Sequence, residues 1–216
     1  MKSESLEKIM ENDMEIIEYY YALASPWAYL GNRELLRIAS EHNKKIDPII
    51  INYDVMFEAS GTIPLPKRPP LRKSYRLIEL ARWSKKREVN LDPEPPLYKG
   101  ETEEPNEQLA ALMVTALKDC KGESLAFSHA ISRALWAEGK FPFTETELLK
   151  IASNFHDDPK SLLETAQTPK IRELYAAQTK RAVERGVFGM PFYIFQDIPF
   201  WGQDRLEMLE DTINQL

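Results

Sequence analysis

Cysteine is nearly missing: Cys120 is the only one among 216 residues, so no disulfide can close within the chain. That fits a reducing compartment, and the chain is read as cytoplasmic. Long hydrophobic runs are missing too. No stretch approaches the roughly 20 apolar residues a helix needs to span a bilayer, and 29% of residues are charged, so no membrane partner is expected. Positive charge is in deficit, with 28 Lys and Arg against 34 Asp and Glu and a net charge of −6. An acidic chain is a poor partner for nucleic acid. The three histidines, His42, His129 and His156, lie far apart and in no metal-ligand spacing, so no metal is expected. The opening residues are acidic and lack the apolar core of a secretory signal, and their glutamates argue against a transit peptide.

What remains is 43% hydrophobic, enough for one compact unit or a small domain with a large insertion. Residues 1–13 read as a leader. Glu15–Leu23 (EIIEYYYAL) reads as a buried strand. Ala24-Ser25-Pro26 ends it, with Pro26 suited to a helix's first turn and Ser25 near the N-cap. The helix should run to about His42, with Leu30, Leu35, Ile38 and Ala39 inward. Ile46–Ile51 is a second strand, completing a βαβ unit with parallel strands.

Ala59–Pro70 carries four prolines in twelve residues and reads as a loop. Helical patterns follow over 72–86, 106–119, 124–138, 144–154 and 159–166, with a second proline-bearing loop over 91–105. Thr168-Pro169 opens a long helix to Arg185. Pro191–Phe195 and Ile198–Trp201 form a hairpin, and Gly202-Gln203-Asp204 opens a last helix. The expected organisation is a core in two parts, 14–58 and 169–216, around an all-helical insertion at 59–168. Without the insertion the order is β-α-β, then α-β-β-α, which is that of a thioredoxin core. Met190-Pro191, just before the third strand, stands where such folds keep a cis-proline.

Three segments carry a resemblance to a known family: Ser25-Pro26-Trp27-Ala28-Tyr29-Leu30, Gly186-Val187-Phe188-Gly189-Met190-Pro191, and Phe200 to Leu206 (FWGQDRL). Tyr75 with Arg82-Trp83 adds to them. The chain resembles the 2-hydroxychromene-2-carboxylate isomerases and the kappa-class glutathione transferases, within the DsbA-like branch of thioredoxin folds. The resemblance implies an α/β thioredoxin-like fold with a large helical insertion, glutathione as cofactor, an aromatic or electrophilic small-molecule substrate, and a homodimer.

It also implies a site. Ser25 and Ala28 occupy the two places of a Cys-x-x-Cys pair, so the chain cannot exchange disulfides there. The helix N-terminus still favours an anion, and the Ser25 hydroxyl can steady a thiolate that glutathione brings. Met190 and Pro191 would pair with the cysteinyl backbone of glutathione. The amides of Gly202, Gln203 and Asp204 would take its γ-glutamyl carboxylate, with Asp204 on the ammonium. Thr62 stands where the family commonly has asparagine, and Arg72, beside Lys73, where many relatives have lysine; both are glutathione-binding candidates. Trp27 and Trp201 are candidates for an aromatic pocket. From the residues alone, Ser25 reads first as an N-cap and Asp204 as part of an acidic first turn, while Met190 and the tryptophans also read as core residues. Cys120 reads as a small core residue, and His129 and His156 as structural or surface groups. A transferase releasing a glutathione adduct and a non-catalytic peptide-binding member are the alternatives to an isomerase.

Overall fold

Alternation along Ile16–Tyr21 sends side chains to two different cores. A computed structural model of the chain describes residues 16–99 and 106–216; the leader expected over 1–13 and part of the second proline-bearing loop lie outside the described residues. In strand β1 (Ile16–Tyr21), Ile17, Tyr19 and Tyr21 join one cluster and Tyr20 joins the other. Tyr19 stacks on Tyr21 with ring centroids 4.7 Å apart, and on Tyr193 at 5.3 Å. Each such ring, removed from water, contributes roughly 1.5–3 kcal/mol, and the Tyr21 hydroxyl is satisfied by Ser128 Oγ at 2.7 Å.

Helix α1 (Pro26–Glu41) buries Leu30, Leu35, Ile38 and Ala39, the stripe expected of it. Strand β2 (Lys45–Ile50) then pairs parallel to β1, from Ile16↔Lys45 to Tyr21↔Ile50. The next element is one the sequence reading passed over. Helix α2 (Tyr53–Ser60) starts at Asn52, whose Oδ1 accepts the Asp54 and Val55 N–H at 3.0 and 3.3 Å, and stops at Gly61 in the left-handed region. Both caps were readable, but two short turns offer little periodicity.

The insertion contains α3 (Pro70–Arg87), α4 (Gln108–Asp119), α5 (Ser124–Trp136), α6 (Glu145–Ala152) and α7 (Pro159–Ala166). Its buried residues, among them Met113, Phe127, Ile131 and Trp136, share one continuous core with Tyr19, Leu30 and Ile38. Helix α8 (Pro169–Glu184) packs with α2 on the opposite face, where Met56 and Ala182 meet Tyr20. Strands β3 (Phe192–Phe195) and β4 (Ile198–Trp201) complete a sheet of order β2-β1-β3-β4, antiparallel at both later pairings. Two expectations need correction. Gly202-Gln203-Asp204 opens a 3-10 turn (Gln203–Arg205), and α9 starts only at Leu206 and runs to Gln215. Cys120 is exposed at the C-cap of α4 rather than in the core, because that helix's apolar stripe ends at Leu117.

Candidate functional site

The register brings the singled-out loops to one end of the sheet. Tyr20 pairs with Phe192, and Phe192 pairs with Trp201. The turn after β1 (Ala22–Ser25), the segment before β3 (Phe188–Pro191) and the segment after β4 (Gly202–Asp204) therefore emerge together. The Met190-Pro191 peptide is cis, as expected.

Ser25 is the N-cap of α1. Its backbone is extended, its N–H reaches the Ala22 carbonyl at 3.2 Å, and its Oγ accepts the Ala28 N–H at 3.3 Å. Because Oγ accepts that bond, the hydroxyl proton is left to donate outward. The turn that presents Ser25 is gripped from the insertion. Glu107 Oε2 accepts the Ala24 N–H at 2.7 Å. The Tyr98 hydroxyl donates to the Ala24 carbonyl at 3.3 Å, and Ser132 Oγ donates to the Leu23 carbonyl at 3.0 Å. Glu107 is only 4% exposed and its Oε1 has no hydrogen-bond partner among the described residues. Burial pushes its pKa up to about 7, against the pull of the backbone N–H donors at Ala24 and Leu23. Burial also raises the Tyr98 hydroxyl to about 12. Neither residue was singled out from sequence: Tyr98 lies in a short 3-10 turn (Pro96–Lys99) inside a proline-bearing stretch, and Glu107 sits among the acidic residues of a loop edge.

The segment before the cis-proline is closely packed. The Trp201 indole lies on Gly189, where a Cβ would come within 2.4 Å of Nε1 and force the ring to move. Phe188 meets Trp201 edge-on at 4.8 Å. Trp201 is nonetheless 54% exposed, and Met190 packs partly buried against the second core. Thr62 Oγ1 donates to the Phe188 carbonyl at 3.2 Å, which ties the first proline-rich loop to this segment. Trp27 is half-buried against the main core.

The last segment divides its roles. The Gly202 N–H donates to the Pro191 carbonyl at 2.9 Å, so it serves the fold rather than an anion. Gly202 has φ +98°, and a Cβ there would strike the Asp204 carboxylate. The Gln203 side chain is buried: Arg87 of α3 donates to its Oε1 at 2.9 Å and to its carbonyl at 2.7 Å. With its carbonyl taken by Arg87, Gln203 keeps only its N–H for a ligand, beside the exposed Asp204. Asp204 is exposed and pairs with Arg205 at 2.7 Å. Arg72 is exposed near the start of α3, while Lys73 Nζ donates to the Pro66 carbonyl at 2.7 Å.

Two cavities lie elsewhere. One of about 530 Å³ sits among α2, α4 and α8, lined by residues such as Val55, Leu112 and Tyr175; the other, about 330 Å³, sits between α1 and α3. Neither lining includes an expected site residue. Among the described residues no group of three or more His, Cys, Asp or Glu is placed to hold a metal, and no helix is long and apolar enough to cross a membrane.

A cis-proline at the same end of a β2-β1-β3-β4 sheet as the N-cap of the first helix agrees with the match of residues 16–214 to the model of the DSBA-like thioredoxin domain. The chain belongs to the DSBA-like thioredoxin domain family. Within that family it is 26% identical, over 92% of its length and 90% of the relative's, to a 2-hydroxychromene-2-carboxylate isomerase of Pseudomonas sp. (strain C18). It is 28% identical to one from Sphingobium xenophagum, over 91% and 97% of the two chains. A solved 2-hydroxychromene-2-carboxylate isomerase superposes with a TM-score of 0.79 at 24% identity, covering 93% of this chain and 95% of that one. The cytosolic disulfide reductase DsbM from Pseudomonas aeruginosa, solved with GSH, superposes at 0.62 and 16% identity, covering 93% and 100%. These DSBA-like relatives bear out the fold and the family read from the sequence.

Proposed function

We propose that this chain is a glutathione-dependent isomerase of the 2-hydroxychromene-2-carboxylate type. One observation carries the reading: a serine, not a cysteine, caps α1, with no acceptor for its hydroxyl proton among the described residues, at the sheet end shared with the cis-proline. The residues present fit glutathione. A hydroxyl donor and the positive end of a 16-residue helix suit a thiolate, and the backbone beside Pro191 suits an extended cysteinyl group. The isomerase names of the relatives and the GSH-bound fold neighbour support the same reading.

Bound glutathione would supply a thiolate that adds reversibly to a conjugated carbon, so that a neighbouring bond of the substrate can rotate before the thiolate leaves. Ser25 Oγ–H holds the sulfur by a charge-assisted hydrogen bond, and the helix end supplies a fixed field that needs no reorganisation. Gln203 N–H and Asp204 meet the γ-glutamyl end, and Trp27 and Trp201 supply apolar surface for the aromatic substrate. A homodimer is part of the proposal. In Ser25→Ala, glutathione-dependent turnover should fall about 100-fold and the ultraviolet thiolate absorbance of bound glutathione should weaken. Full turnover would remove Ser25 from this role, and accumulation of a glutathione adduct instead of free glutathione would make the chain a transferase.

A further inference from the structure

Among the described residues, two half-buried arginines near this site have no carboxylate partner. The Arg76 guanidinium of α3 stacks over the Tyr98 ring at 5.5 Å, and Tyr98 is the residue whose hydroxyl holds the Ala24 carbonyl. Arg68, just before α3, donates through Nε to the Ile63 carbonyl at 2.8 Å, one residue after the Thr62 that binds the Phe188 carbonyl. One cation is thus tethered to the turn of Ser25 and the other to the segment of the cis-proline. Each guanidinium is held below the usual arginine range by burial first, with Arg72 acting against Arg68 and Arg68 against Arg76; Tyr98 and then Glu94 favour the charge on Arg76. Among the described residues, no ion pair joins Arg68, Arg72 or Arg76 to a carboxylate; those of α3 are made by Arg82, Lys86 and Arg87.

Partly desolvated cations that repel one another are costly unless an anion joins them. Guanidinium donors match a carboxylate in pairs, and the Tyr98 ring, itself stacked on Trp136 at 5.3 Å, carries the Arg76 guanidinium. We infer that Arg68 and Arg76, backed by Tyr98, form a carboxylate subsite beside Ser25. The carboxylate is that of the aromatic second substrate or the glycyl end of glutathione. The inference rests on the proposed function only for its choice of these two sources.

The test is titration of the whole protein with 2-hydroxybenzoate, followed by NMR, in the wild type, Arg76→Met, Arg68→Met and Arg76→Lys. The wild type should bind, each methionine variant should bind at least tenfold more weakly, and Arg76→Lys should recover part of the loss. Unchanged near-ultraviolet dichroism shows which variants keep the fold, and Arg68→Met serves if Arg76→Met does not. If glutathione displaces 2-hydroxybenzoate, the subsite serves the glycyl carboxylate; if both bind together, it serves the second substrate. Binding of 2-hydroxybenzoate that all variants retain, or none in the wild type, overturns the subsite. Binding that depends on the arginines in a protein that does not bind glutathione keeps the subsite and removes the proposed function.

Discussion

Replacing Glu107 by glutamine should flatten the dependence of stability on pH. The carboxyl is fully buried beneath the Ser25 turn, with no cation paired to it among the described residues, and its pKa rises from 4.5 to about 7. Between those values the native state keeps a proton that the unfolded chain has released. Stability from this group is therefore complete below about pH 4.5 and is lost as pH rises through about 7. At roughly 1.4 kcal/mol per pH unit, the loss is about 3 kcal/mol. Glutamine keeps a carbonyl for the Ala24 N–H and removes the ionisation. Its extra N–H₂ has no evident acceptor and costs about 1–3 kcal/mol at every pH. The absolute stability of Glu107→Gln is thus a poor readout, whereas its difference from wild type should shift in the variant's favour by about 3 kcal/mol between about pH 4.5 and about pH 8. Urea unfolding at a series of pH values, with equal m-values required of both proteins, measures that difference. Parallel curves would refute the reasoning, since every other titrating group is common to both.

Three further outcomes follow from the structure. Arg87→Ala should cost about 3 kcal/mol in urea unfolding, because the buried guanidinium binds the Gln203 side chain, the Gln203 carbonyl and Glu207 together; a loss below about 1 kcal/mol would mean that these contacts are replaced by water. Glu210 is held at about 2, chiefly by hydrogen bonds from Arg37, a stabilisation present above its unfolded pKa near 4.5 and lost as pH falls through 2. After allowance for solvent screening, Glu210→Gln should cost about 1 kcal/mol at neutral pH, and thermal unfolding should show the cost shrinking in acid and in high salt. Cys120 is exposed and outside the site, so one thiol per native chain should react with a maleimide without loss of turnover; a thiol that reacts only in denaturant would put Cys120 back in a core.

Much of the fold was legible because its signals are local. Val, Ile and Tyr in a short run, Ser25 before Pro26, and Met190-Pro191 before an apolar strand specify element type and boundary with only near neighbours involved. The cap residues of α2 were equally local, but eight residues carry too little helical periodicity to stand out beside a proline-rich loop. The candidate site was half legible. Ser25, Thr62 and Pro191 could be named because motif position alone marks them. Gly202 and Gln203 were named for a ligand, yet the Gly202 N–H goes to the Pro191 carbonyl and the Gln203 side chain to Arg87.

The sequence by itself determined the thiol-free turn, the strand and helix order and the family. Only the tertiary structure decided what holds that turn. Glu107, Tyr98 and Ser132 reach Leu23 and Ala24 across 74 to 109 residues of chain, and Arg68 and Arg76 lie near the site through Ile63 and Tyr98, themselves outside the segment of Ser25. Such contacts leave no periodic trace, because each depends on where separate elements pack rather than on the spacing within any one of them. Ser25 is named by its neighbours in sequence, but its position and its electrostatic surroundings are set by an insertion that begins more than thirty residues later.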